Sequence, residues 1–214
     1  DHRLYLRERK SLKVFRTTEA GLAGYLFSTD EKLLDLGFPP LNGLYFGPCL
    51  AGDGRGRLYA TSWRNDLVRY QDEGRRIVKV SAAPRVFKDA MGIALDGRGM
   101  VYVTERGVRP KADPGPPSAS RPAEPSPARI YQFWDSDTGL TEVASFEDAA
   151  IEGLRDVALS ADGTSLYVLE DGDNLGKWYD GQVRWPERDF AGGARLLKYD
   201  FVYGQIVEQA IEVN

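Results

Sequence analysis

The sequence contains few of the residues that most often bind metals or act as catalytic bases. Its 214 residues include one cysteine, Cys49, and one histidine, His2. A single cysteine excludes an intrachain disulfide, and without a Cys/His cluster the usual structural zinc site is excluded too. Because His2 lies in a terminal stretch, hydrolases that need a histidine base or histidine metal ligands are disfavoured.

Long apolar runs and an excess of positive charge are also absent. No stretch approaches the roughly 20 apolar residues of a membrane span and no signal-peptide pattern occurs, so we expect a soluble chain without a membrane span. The 28 Lys and Arg residues against 32 Asp and Glu residues leave a net charge of −4, which disfavours nucleic acid as a partner. The motif N-x-S/T never occurs, and the sequence leaves the cellular compartment open.

A repeated pattern of residues organises the chain. It consists of an alternating apolar run, a polar turn containing glycine, and a second alternating run, and it occurs at residues 50–62, 93–105 and 157–170. Asp-Gly in such a turn is typical of a tight hairpin, because glycine adopts positive φ without strain. Each copy is followed by a second hairpin-like segment, at residues 67–80, 130–143 and 196–209.

A fourth, partial copy precedes these three. It comprises residues 25–36, and residues 4–6 and 12–15 are predicted to be the first two strands of that unit. The equivalent residues Tyr59 and Tyr102 lie 43 positions apart, a repeat length typical of propeller blades. We therefore predict one all-β domain over residues 1–214, a β-propeller of four-stranded antiparallel blades with about four blades visible. A flat meander or a β-sandwich is the alternative.

The repeat resembles those of known propeller families. GIALDGRGMVYVTERG followed by ARIYQFW resembles the repeat of NHL-type propellers. The same pattern occurs in gluconolactonase-like (senescence-marker-protein) and strictosidine-synthase-like propellers, and GARLLKYD at 193–200 is similar to the latter group. The resemblance covers most of residues 43–214 and implies a propeller superfamily rather than one activity. It also implies six blades, so either this ring is unusually small or further blades are missing or on another chain.

Two insertions interrupt the repeats, at residues 106–129 and 171–194. Each is predicted to join the second and third strands of its blade, and the blades are consecutive, so we expect both insertions on one face of the propeller. The first holds seven of the 12 prolines, which favours extended or disordered backbone, and its excess of basic residues favours an acidic partner. The second contains Trp178, Tyr179 and Trp185, which either cover the blade or anchor a protein partner.

Three further residues extend this candidate interface. Trp63 and Arg64 lie in the short loop between the second and third strands of an earlier blade, and Arg106 begins the first insertion. The leading hypothesis is therefore a binding module that presents a loop-rich face to a protein partner, alone or as a subunit of a larger assembly. No enzymatic activity is needed for that role.

Acidic residues near the second insertion suggest a calcium site. Asp171 and Asp173 flank a glycine directly after Glu170, and their carboxylates are hard oxygen ligands of the kind that calcium prefers. The alternative is an Asx turn with solvated acids. The resemblance also implies that Glu105 and Asp171, which follow second strands, face the central channel as a possible acid and base.

The alternative function is a calcium-assisted hydrolase of the lactonase or esterase type, and the residues of the inner strands distinguish it from the binding module. The resemblance to gluconolactonase-like propellers implies a metal held at the channel mouth by acidic or amide residues of inner strands. The positions predicted to begin those strands are Pro48/Cys49, Met91 and Asp156, and only Asp156 is a candidate metal ligand. This low count of acids disfavours the enzyme and favours the binding module.

Overall fold

A computed structural model of the chain describes residues 2–7, 12–28, 49–61, 66–83, 87, 90–106, 127–147, 154–170, 177–179, 182–184, 195–202, 205–206 and 211–212. Every regular element in these ranges is a β-strand. Within the described residues, no helix is long and apolar enough to cross a membrane.

All but two of the described strands form four antiparallel sheets that follow one another along the chain, and each of these four sheets is called a blade below. Blade 1 consists of β1 (His2–Arg7), β2 (Leu12–Thr18) and β3 (Gly21–Ser28). Blade 2 consists of β4 (Leu50–Gly52), β5 (Arg57–Thr61), β6 (Leu67–Asp72) and β7 (Ile77–Ala83). Blade 3 consists of β8 (Ala90–Leu95), β9 (Met100–Glu105), β10 (Arg129–Ser136) and β11 (Gly139–Glu147).

Blade 4 contains an additional hairpin between its second and third strands. Its own strands are β12 (Leu154–Leu159), β13 (Ser165–Glu170), β16 (Arg195–Val202), β17 (Gln205–Ile206) and β18 (Ile211–Glu212). The hairpin is a separate two-stranded sheet of β14 (Lys177–Tyr179) and β15 (Gln182–Arg184). The predicted all-β propeller of antiparallel blades is confirmed.

The blades are held together by apolar cores that lie between neighbouring sheets. Each core joins residues from the facing sides of two consecutive blades, as expected when both faces of a sheet are covered. Blades 1 and 2 share a core that includes Leu12, Val14, Leu58, Val68 and Tyr70. Blades 2 and 3 share one that includes Tyr59, Leu67, Val103, Tyr131 and Phe133. Blades 3 and 4 share one that includes Tyr102, Ile130, Leu166, Leu197 and Tyr199.

The strand register corrects the prediction for blade 1. A β-bulge interrupts the pairing of the third and fourth strands between Arg69 and Tyr70 in blade 2, and the same irregularity occurs between Val14 and Phe15 in blade 1. Therefore β1 and β2 correspond to the second and third strands of a blade, not to the first and second. The sequence prediction was wrong by one strand because alternating apolar residues do not distinguish neighbouring strands. Residues 29–36, the remainder of the predicted copy, lie outside the described residues.

A buried polar contact recurs between the second strand of one blade and the third strand of the next. Tyr5 donates a hydrogen bond from its hydroxyl to Asp72, with an oxygen-to-oxygen distance of 2.8 Å, and Arg3 forms an ion pair with the same carboxylate. One blade further, Tyr59 donates to Asp135 over 2.6 Å. The repeated placement shows that these contacts fix how consecutive blades pack.

The acceptor in the second of these contacts carries a larger set of partners. The Asp135 side chain is fully buried and accepts hydrogen bonds from Arg57, over 3.0 Å, and from Arg69, as well as from Tyr59. Desolvation of a carboxylate costs several kcal/mol, and the partners of Asp135 offset that cost, so loss of the carboxylate or of its partners leaves buried charge uncompensated. Burial and the hydrogen bond to Asp135 raise the pKa of Tyr59, which remains a neutral donor.

Apolar side chains are exposed at both ends of the series of blades. Leu4 on β1 is 46% exposed, whereas Leu58, at the equivalent position of blade 2, is 1% exposed because blade 1 covers it. At the other end Leu196 is 38% exposed, whereas its equivalent, Ile130, is fully buried against blade 4. Both outer faces therefore have the apolar character of faces that neighbouring blades cover elsewhere in this chain.

Candidate functional site

The loop-rich end of the molecule begins where the second strands of blades 3 and 4 finish. The second strand β9 pairs with the third strand β10, and β13 pairs with β16, so residues 106–129 and 171–194 both connect second to third strands. The two connections start from equivalent register positions, Glu105 and Glu170. Consecutive blades therefore carry their longest connections at corresponding points.

The hairpin formed by β14 and β15 lies within the second connection. Trp178 pairs in register with Val183, and Tyr179 pairs with Gln182. The hairpin is not part of blade 4, because β13 and β16 pair directly with each other. Two of the predicted anchor residues thus lie on a short ordered element rather than in irregular chain.

The other predicted interface residues are only partly described. Arg106 follows β9 directly and is half-buried. Trp63, Arg64 and Trp185 lie outside the described residues, so their placement stays a prediction. The same holds for the proline-rich residues 107–126.

The acids at the ends of the second strands are buried and paired within their own blades. Glu105 accepts a hydrogen bond from the Tyr131 hydroxyl over 2.7 Å, and its side chain is almost fully buried. Glu170 is also buried, and Arg195 donates to it over 2.7 Å through Nε. These contacts connect second and third strands within a blade, so both carboxylates have a structural role. The expectation that Glu105 serves as a channel-facing acid loses support.

The strand register shows that the residue of blade 3 equivalent to Asp156 is Gly92, not Met91. Asp156 pairs with Leu169, and the equivalent pair in blade 3 is Gly92 with Thr104. A β-bulge precedes each of these positions and leaves Met91 without a pairing partner in its strand ladder. The prediction that Met91 corresponds to Asp156 was therefore wrong by one residue, because a bulge shifts the alternation without changing the composition.

Asp156 is an exposed side chain whose carboxylate is bound locally. Its Oδ1 accepts a hydrogen bond from the backbone N–H of Val157 over 2.8 Å. The equivalent residues in blades 2 and 3 are Cys49 and Gly92, so this ring of positions supplies one oxygen ligand among the described blades. No group of three His, Cys, Asp or Glu side chains arranged to hold a metal occurs within the described residues. The predicted ligands Asp171 and Asp173 lie outside them.

A cleft between blades 2 and 3 was not predicted from the sequence. It has a volume of about 180 Å³ and lies between the turn that joins β4 to β5 and the turn that joins β8 to β9. Its walls include Arg55 and Arg98, and Tyr59 and Asp135 also line it. The repeated Asp-Gly-Arg-Gly of the two turns is the available signal in the sequence, but by itself it indicates only tight turns.

Comparisons with known proteins establish the fold but no activity. No protein-family model and no curated protein sequence matches the chain. A crystal structure of a protein from Lactobacillus plantarum matches with a TM-score of 0.55 and 14% identity, over 97% of this chain and 51% of that protein. The periplasmic gluconolactonase PpgL of Pseudomonas aeruginosa matches with a TM-score of 0.46 and 18% identity, over 99% and 68%. The chain thus spans about half the length of the Lactobacillus protein.

Proposed function

We propose that the chain is a protein-binding β-propeller module whose partner-facing surface is the loop-rich end of blades 3 and 4. The observation that supports this proposal is the β14–β15 hairpin, which carries Trp178 and Tyr179 and forms a sheet of its own. Blade 4 does not need the hairpin to complete its own sheet. Aromatic residues are enriched among the few side chains that dominate protein interfaces.

The short hairpin needs stabilisation from outside itself. An isolated two-stranded hairpin is marginally stable in water, and this one has three residues in each strand. Lys177 and Arg184 occupy directly opposite register positions, and like charges at such positions destabilise a pair of strands. An acidic group on a partner would relieve that repulsion. The basic excess in residues 106–129 favours the same kind of partner.

The partner is accordingly a protein with an acidic rim around an apolar depression that accepts an aromatic side chain. Such an arrangement combines a desolvated anchor with peripheral charges that speed association. Membership of the module in a larger assembly is compatible with this surface, because the exposed leucines lie at the outer blade faces and not at the hairpin.

The second candidate function is a calcium-assisted hydrolase of the gluconolactonase type. One observation favours it: the exposed Asp156 side chain lies on the first strand of blade 4, and first strands line the channel of a propeller. The described residues at equivalent positions, Cys49 and Gly92, do not complete a calcium site. The binding module is therefore the stronger proposal.

Capture of a partner by variants of the hairpin tests the proposal. The full chain is immobilised and exposed to a lysate of its source, and the Trp178→Ala/Tyr179→Ala variant is compared with Trp134→Ala, which changes an exposed tryptophan on β10. We expect the wild type and Trp134→Ala to retain the same protein and the hairpin variant to lose it, with unchanged melting temperatures. A hairpin variant that unfolds, or that keeps the same partner, would contradict the proposal.

Calcium and lactone assays test the hydrolase separately. A ligand that binds only the native state raises its melting temperature by mass action. The hydrolase requires that calcium raise the melting temperature, that Asp171→Ala or Asp173→Ala remove the rise, and that Asp156→Asn abolish lactone hydrolysis. If calcium has no effect and no lactone is hydrolysed, the hydrolase is excluded.

A further inference from the structure

The cleft between blades 2 and 3 is flanked by two turns of identical sequence. The turn Asp53-Gly54-Arg55-Gly56 supplies Asp53 and Arg55 to one wall, and the turn Asp96-Gly97-Arg98-Gly99 supplies its last three residues to the other. The turn at the corresponding place in blade 4 contains Asp162 and Gly163 but no arginine. Among the described turns that join a first strand to a second strand, arginine therefore occurs only in the two that border the cleft.

Each turn is held rigid by its own aspartate. Asp53 accepts hydrogen bonds from the backbone N–H groups of Arg55 and Arg57, over 2.7 and 3.0 Å. Asp96 accepts from Arg98 and Met100 over 2.8 and 2.9 Å. Positive φ values at the glycines allow the chain to fold back in this way, for example 72° at Gly54 and 70° at Gly97. The backbone of both arginines is thus fixed before any ligand arrives.

The arginine side chains themselves are not used by the fold. Arg55 and Arg98 are both exposed, and within the part of the chain that the structure describes neither guanidinium forms an ion pair or a hydrogen bond. This distinguishes them from Arg57 and Arg69, whose guanidinium groups bind Asp135. Turn geometry explains the aspartates and glycines, but it does not explain two arginines.

The electrostatics of the cleft favour an anion. Asp135 lies at its base, but this carboxylate is fully buried and is neutralised by two arginines. Asp53 and Asp96 each accept hydrogen bonds from two backbone N–H groups, and Asp53 also lies 3.9 Å from the Nε atom of Arg57. Among the described residues, Arg55 and Arg98 are the cationic side chains at the cleft that have no ion-pair partner. Arginine suits carboxylate and phosphate groups because its planar fork of donors matches their oxygens.

We propose that this cleft binds a small anionic ligand that carries carboxylate or phosphate groups, held between Arg55 of blade 2 and Arg98 of blade 3. The turns of the cleft join first to second strands, whereas the long insertions join second to third strands, so the site is separate from the proposed protein-binding surface. Because the ligand would contact two blades, its binding would also stabilise their packing.

Calorimetric titration of the full chain with two anions tests this site. Inorganic phosphate is used in one arm and citrate in the other, both at low ionic strength, since salt weakens exposed charge contacts. We expect saturable binding of at least one anion, and the preferred arm identifies the chemical class. Arg55→Ala and Arg98→Ala should each weaken binding about tenfold, the effect of losing one charge-assisted contact.

The matched control is Arg75→Ala, which removes an exposed arginine from the turn between β6 and β7, outside the cleft. Binding should change less than about twofold in this variant, since it loses charge but no contact. Equal weakening by all three variants would show nonspecific attraction and overturn the proposal. So would the absence of saturable binding in both arms, or binding that is insensitive to Arg55 and Arg98.

Discussion

The hydroxyl of Tyr59 lies 2.6 Å from a carboxylate oxygen of Asp135, across the boundary between blades 2 and 3. The two residues are 76 positions apart in the chain. Tyr5 and Asp72 form the same contact one blade earlier. This relationship connects the repeat in the sequence to the packing of the blades, because at the boundaries between blades 1 and 2 and between blades 2 and 3 one copy supplies the donor and the next copy the acceptor.

Removing the acceptor should destabilise the protein strongly. Asp135→Ala leaves Arg57 and Arg69 without their shared carboxylate, and loss of one partner from a buried ion pair typically costs about 3–5 kcal/mol. Urea denaturation followed by circular dichroism measures the free energy of unfolding. Asp137→Ala, an exposed aspartate in the following turn, is the control and should change it by less than about 0.5 kcal/mol. Equal effects of the two variants would refute the structural role of the contact.

The repeat supplies an internally matched test of blade packing. Leu58→Ala should reduce the free energy of unfolding by about 2–5 kcal/mol, because the side chain is buried between blades 1 and 2. Leu4→Ala changes the equivalent residue on the exposed face of blade 1 and should cost less than about 1 kcal/mol. Equilibrium denaturation of both variants measures the two changes in the free energy of unfolding. A large cost at Leu4 would mean that another element covers that face.

Stability should fall at alkaline pH. Burial and the hydrogen bond to Asp72 raise the pKa of Tyr5, burial and the bond to Asp135 raise that of Tyr59, and burial raises that of Tyr102 to about 12. The unfolded chain loses its tyrosine protons near pH 10, before the native protein does. Stability is therefore complete below about pH 10 and declines as the pH rises toward the native pKa values.

Tyrosinate absorbance measured on native and urea-unfolded protein tests this pH dependence. The unfolded chain should ionise in one step near pH 10, and the native protein should retain a protonated fraction at higher pH. If every tyrosine of the native protein ionises near pH 10 while the circular dichroism spectrum is unchanged, the burial of these hydroxyls is wrong.

The repeat made the fold predictable from the sequence, but it did not predict the details of strand pairing. Alternating apolar residues and Asp-Gly turns predict hairpins in series, and the cores between blades follow from both faces being apolar. Alternation does not distinguish neighbouring strands, so the strands of blade 1 were assigned one position too early. The bulge beside Met91 inserts a residue without a sequence signal, so the register of that strand was wrong by one residue. The contact between Tyr59 and Asp135 has a signal in the sequence, because a tyrosine and an aspartate, Tyr5 and Asp72, occupy the equivalent positions one blade earlier.

The candidate site was harder to derive than the fold. Trp178 and Tyr179 mark the second insertion as a candidate surface because aromatic residues are unusual on a polar background. No alternating run in that segment is long enough to predict β14 and β15. The cleft between blades 2 and 3 forms only because two turns from different blades come together. Composition and local sequence pattern do not predict such contacts between segments that are distant in the chain.

Site-specific photo-crosslinking tests the proposed interface most directly. Trp178 is replaced with p-benzoylphenylalanine in one version of the full chain and Trp134 in another, and each is irradiated in a lysate of its source. Since the crosslinker reacts only with groups in contact, the account predicts one discrete adduct from position 178, competed by unlabelled wild-type chain, and none from position 134. No adduct from position 178, or the same adduct from both positions, would contradict the claim that the hairpin binds a protein partner.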